Sequence, residues 1–130
     1  MNKKRWIYVG GKPSDGEKEA IVGACEKFIA DILKPRFLPK ITPTQFNYPV
    51  DIFGKWRGGK YRFMQRFRSD SPDAIEPEFD APFARLEYVG PDRFDLSYFR
   101  HTERWFRLYR GVSLAEALTT IENDMHFHPI

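Results

Sequence analysis

Residues 83–110 read FARLEYVGPDRFDLSYFRHTERWFRLYR, and the fold is decided there. Two β-prone runs, 83–89 and 94–100, flank the turn signal Gly90-Pro91-Asp92. A second tight turn at 102–104 leads into a third run, 105–110. Connections this short join only antiparallel neighbours, because a parallel return needs a crossover of a dozen residues or more.

Outward from this segment the pattern continues. In 61–68, Tyr61, Phe63 and Phe67 face one way, and Arg62, Arg66 and Arg68 the other. Arg57-Gly58-Gly59-Lys60 reads as a turn. Before it Phe46, Tyr48, Val50 and Ile52 alternate with Asn47, Pro49 and Asp51, and Pro49 marks an edge strand or a bulge. Residues 69–82, with three prolines, read as a polar, acidic loop. Residues 5–9 (RWIYV) are β-prone and close at Gly10-Gly11, so that 1–13 form either an added edge strand or a loosely attached arm.

Two helices frame the strands. Ser14 with Glu17 makes a capping box, in which a hydroxyl and a carboxylate satisfy each other's orphan amides. Ile21, Cys25, Phe28 and Ile32 follow with helical period, leaving Glu19, Lys27 and Asp31 for solvent. Pro35 is expected to end this helix, since proline disfavours helical geometry at the residue before it. Ser113 and Glu116 repeat the capping box ahead of Leu114, Ala117, Leu118 and Ile121. The expected fold is α+β: a long N-terminal helix packed on an antiparallel sheet of about five strands, with a short C-terminal helix.

The composition permits this. At 130 residues with 42% hydrophobic and 16% aromatic side chains, the chain fits one domain with a core of its own. Cys25 is its single cysteine, which rules out an intramolecular disulfide and favours a reducing compartment. The apolar stretch 6–9 is too short for a signal-peptide core, and no run approaches the roughly 20 residues that span a bilayer. The expectation is a cytoplasmic protein without a membrane partner.

The stretch 83–127 resembles a family of small uncharacterised bacterial proteins carrying a domain-of-unknown-function label. The resemblance rests on the F-A-R-L-E-Y-V strand at 83–89, the W-x-R-x-Y hairpin end at 105–109, the S-L-x-E-x-L-type helix from Ser113, and the acidic-aromatic tail at 122–127. It implies the same α+β layout and no activity.

No motif in the chain reads as catalytic. There is no G-x-S-x-G, and Cys25 on an apolar helical stripe reads as a small core hydrophobe. Glu87 and Asp95 sit on adjacent strands, so a carboxylate pair is conceivable. His126 and His128 could face one side, but a metal site needs three or four ligands, and no metal or cofactor is expected. Gly10-Gly11-Lys12-Pro13-Ser14 lacks P-loop spacing and reads as a turn and a cap.

The informative feature is charge placement. Net charge is only +3, yet residues 52–69 hold six cations, Lys55, Arg57, Lys60, Arg62, Arg66 and Arg68, and no acid. Trp105, Arg107 and Tyr109 alternate away from Phe106 and Leu108 and are expected on the same face. Arginine forks and aromatic rings are what a single-stranded nucleic-acid platform uses. The candidate binding residues are therefore Arg57, Lys60, Arg62, Arg66, Arg68, Trp105, Arg107 and Tyr109. The plainer reading pairs these arginines with Glu76, Glu78 and Asp80, or leaves them in solvent.

The expectation is a binding module, not an enzyme, whose basic, aromatic sheet face takes an acidic protein or a nucleic-acid strand. Two alternatives belong to other classes. One is a small-molecule pocket, catalytic or not, between sheet and helix. The other is a homodimer formed through the 46–56 edge strand or the aromatic face.

Overall fold

Ser14 opens the first helix as the sequence indicates: the Glu17 carboxylate accepts from the Ser14 amide at 2.9 Å, and the Ser14 hydroxyl accepts from the Glu17 amide at 3.1 Å. The computed structural model describes residues 11–38, 43 and 47–129. Helix α1 (Asp15–Phe28) buries Ile21, Cys25 and Phe28. Pro35 does not end it. A π-helical turn (Ile29–Leu33) carries the helix into one more turn, α2 (Lys34–Phe37). In a regular helix the proline ring clashes with the carbonyl four residues back and leaves it without a donor. Here the Lys34 amide donates to the carbonyl of Ile29, five residues back. The hydrogen-bond frame shifts by one residue, and the helix passes the proline.

Five strands follow: β1 (Tyr48–Arg57), β2 (Lys60–Arg68), β3 (Glu78–Gly90), β4 (Arg93–Phe99) and β5 (Trp105–Val112). Each pairs antiparallel with the next, so among the described residues β1 and β5 are the edges. Gly58 and Gly59 turn β1 into β2 with φ of 59° and 75°, a left-handed pair that matches strand twist and suits glycine. Helix α3 (Leu114–Asn123), opened by the expected Ser113–Glu116 box, and a 3-10 turn (Met125–Phe127) complete the described chain.

Three expectations about strands are corrected or fall outside the described residues. Residues 69–82 are not all loop: β3 starts at Glu78, because Glu78 and Asp80 stand opposite Arg68 and Arg66 and pair with them. Opposite charges facing across strands support such pairing, and Pro82 sits at a register shift where its missing amide costs no ladder bond. In β1 a shift between Pro49 and Asp51 breaks the expected alternation, putting Tyr48 opposite Arg68 but Ile52 opposite Gln65, on the other face. Residues 5–9 and Phe46 lie outside the described residues.

The helices cover one face of the sheet. Tyr61, Phe63, Leu86, Phe94 and Leu96 point into that layer and are at most 1% exposed. They meet Cys25 and Leu33 from the N-terminal helix and Ile121 from α3. Phe28 packs edge-on against Phe63, ring centroids 6.3 Å apart, and the Tyr88 hydroxyl donates to Glu17 at 3.0 Å. Among the described residues no helix covers the opposite face.

Candidate anion-binding face

The opposite face is built by the residues one step out of phase with the core. In β2 these are Lys60, Arg62, Met64, Arg66 and Arg68, since Tyr61, Phe63, Gln65 and Phe67 are buried. The register then does what no single strand could. Lys55 stands opposite Arg62, Arg62 opposite Arg85, Arg85 opposite Ser97, and Ser97 opposite Arg107. With strands about 4.8 Å apart, this row crosses all five strands over roughly 19 Å.

The flanking rows differ in character. On one side Arg57 and Lys60 continue into Glu87 and Asp95. Lys60 lies 4.0 Å from Glu87, while Asp95 accepts from Arg107 at 3.2 Å and from the Gly111 amide at 3.0 Å. On the other side the row is apolar, with Phe53, Met64, Phe99 and Trp105. Beyond it Arg66 and Arg68 are held by Asp80 (2.9 Å) and Glu78 (2.7 Å), which raise both guanidinium pKa values. Arg57 apart, the cations of the flanking rows are thus paired, whereas in the middle row only Arg107 is. Among the described residues no carboxylate comes within ion-pair distance of Lys55, Arg62 or Arg85.

Arg85 is the centre of the row. Its guanidinium lies 4.5 Å over the Trp105 ring, which in turn meets Phe99 edge-on at 5.1 Å. Its Nε is buried and, among the described residues, has no hydrogen-bond partner. Burial holds its pKa below the ordinary value; Glu87 opposes that shift, and the like charges of Arg62 and Arg107 add to it. The neighbouring Ser97 is 2% exposed although, among the described residues, no helix lies over it.

Of the residues singled out from sequence, Arg57, Lys60, Arg62, Arg66, Arg68, Trp105 and Arg107 share this face. Tyr109 does not. A register shift in β5 between the partners of Leu96 and Ser97 inserts Leu108 and sends Tyr109 to the helix side. There its hydroxyl donates to Asp124 at 3.1 Å and its ring lies 6.0 Å from Phe127. Arg85 and Ser97 were missed, although the F-A-R-L-E-Y alternation already sets Arg85 and Glu87 apart from the buried set. Only the pairing with Arg62 makes Arg85 noteworthy.

The other candidates disperse. Glu87 and Asp95 are indeed cross-strand neighbours, but each faces a cation. His126 Nδ1 sits 2.7 Å from Asp124, while His128 Nε2 sits 2.9 Å from the Glu122 carbonyl and packs on Phe37 at 4.7 Å. Among the described residues no three His, Cys, Asp or Glu side chains are grouped to hold a metal. Cys25 is fully buried and its thiol is pushed up to about 12, chiefly by desolvation, so it is no nucleophile at neutral pH. Hollows of about 220 and 210 Å3 lie between the N-terminal helix and the sheet, and more open ones of about 520 and 470 Å3 lie along Tyr109 and α3.

No helix among the described residues is long and apolar enough to cross a membrane. Comparisons with curated proteins and with solved structures return no match. The model of the family described as "domain of unknown function (DUF3024)" matches residues 13–129, and the chain belongs to that family.

Proposed function

We propose that this protein is a non-catalytic binding module of the cytoplasm that holds a single strand of nucleic acid along the cation row. The carrying observation is the register that aligns Lys55, Arg62, Arg85 and Arg107 across the sheet. A stripe one residue wide suits a chain bearing one charge per unit. The apolar row beside the stripe, with Arg85 stacked on Trp105, offers flat surfaces to unpaired bases.

The test is fluorescence anisotropy with a labelled single-stranded 12-mer. Three to four phosphate contacts give a log–log salt slope of about −2 to −3, so affinity should fall roughly 20- to 50-fold between 50 and 200 mM salt. Arg62→Gln should weaken binding and reduce the slope by about 0.7. No binding at 50 mM salt, or an unchanged slope in the variant, would refute the proposal. Polyglutamate competing as well as the oligonucleotide would transfer the face to an acidic peptide.

A further inference from the structure

Within the row one point differs from the rest. Arg62 and Arg85 stand directly opposite each other on β2 and β3, and among the described residues neither has a carboxylate within ion-pair distance. Like charges so placed oppose strand pairing unless something anionic comes between them. The Arg85 Nε is a buried donor without an acceptor, a group that folded proteins rarely leave unmet. Ser97, opposite Arg85, adds a hydroxyl on the same face. Arg107, opposite Ser97, closes the far side and is paired with Asp95 at 3.2 Å. Glu87, two residues on along β3, lies 4.0 Å from Lys60 and acts on Arg85 without pairing with it.

We infer that Arg62, Arg85 and Ser97 form a seat for one phosphate monoester group, the point on the face where a terminal phosphate is preferred over the diesters of a chain. This rests on reading the face as anion-binding. A monoester brings nearly two charges and three acceptor oxygens, against one charge for a diester or a carboxylate. It therefore matches two unanswered guanidinium forks, each able to bind it in two places. Two sources carry such a group, a free phosphorylated small molecule and the end of a nucleic-acid strand.

The experiment uses the full chain and two probes. Inorganic phosphate is titrated while the arginine Nε–H signals are followed by NMR. The Arg85 signal should shift and saturate, Arg62→Gln should weaken the apparent affinity at least tenfold, and Lys27→Gln, on the exposed side of α1, should leave it within twofold. Arg62→Lys keeps the charge but loses the fork, and should fall between. In parallel, 5′-phosphorylated and 5′-hydroxyl forms of one 12-mer are compared by anisotropy, with the phosphorylated form expected to bind 5- to 10-fold tighter through Arg62. Saturable phosphate binding with no binding of either oligonucleotide supports the seat for a free phosphorylated molecule and refutes the strand reading. A non-saturating phosphate response, or one unchanged in Arg62→Gln, overturns the seat even if both oligonucleotides bind.

Discussion

Replacing Arg85 by methionine should make the unliganded protein more stable, although Arg85 is the centre of the face. Three contributions set the sign. The Nε donor without a partner disappears, a gain at the low end of about 1–3 kcal/mol because the guanidinium is only partly buried. The like-charge pairing with Arg62 disappears too, worth roughly 0.2–1 kcal/mol. Against this stands the guanidinium stack on Trp105, about 0.5–1 kcal/mol at such a site, which a thioether over the same ring largely restores. The balance is about 1 kcal/mol in favour of the variant, or a melting temperature higher by roughly 3–6 °C for a chain of this size.

Urea unfolding followed by circular dichroism, at low and at high salt, measures it. The wild type should gain stability as salt screens the arginines, narrowing its gap to the variant. Millimolar phosphate should reverse the order, since a ligand at a hundredfold its Kd adds about 2.7 kcal/mol to the form that binds it. A variant less stable than the wild type by 1 kcal/mol at low salt would show that Arg85 is a structural brace. The argument from an unanswered charge would then fall.

Two further outcomes follow from the core and the helix ends. Gly54→Ala places a Cβ into the Tyr61 ring and hydroxyl, in a layer where Tyr61 is 1% exposed; it should cost about 1–3 kcal/mol, and an unchanged urea midpoint would disprove the close approach. On the acid side, the Ser14 amide, and then the Tyr88 hydroxyl, hold Glu17 below the usual carboxylate range, and the Ser113 amide does the same for Glu116. Depressed folded-state values mean that their contribution is whole above the unfolded pKa, near 4.5, and is lost as pH falls below it. The double variant Glu17→Gln/Glu116→Gln should therefore lose stability less steeply than the wild type below pH 4.5, and identical slopes would contradict the assignment.

Features that depend on neighbours a few residues away were legible in the sequence. Both capping boxes, the apolar stripe of α1, the glycine turn at 58–59 and the alternation of β2 are set by side-chain period and by local hydrogen bonds. Where local propensity met a long-range partner, the partner prevailed. Glu78 and Asp80 are drawn into β3 by the arginines opposite, whereas Pro35 is passed by a local π-turn that the helical period does not signal.

The family pattern and the two-layer fold were therefore determined by the sequence alone, while the face was decided by tertiary structure. Arg62, Arg85 and Arg107 belong to three different strands, and only the register fixed by tight turns and bulges brings them into one row. A one-residue shift moves a side chain to the other face, as it did for Tyr109. The same register cancels Arg66 and Arg68 against acids and leaves Arg62 and Arg85 without an ion pair among the described residues, a distinction that composition cannot carry because charges neutralise in space and not along the chain.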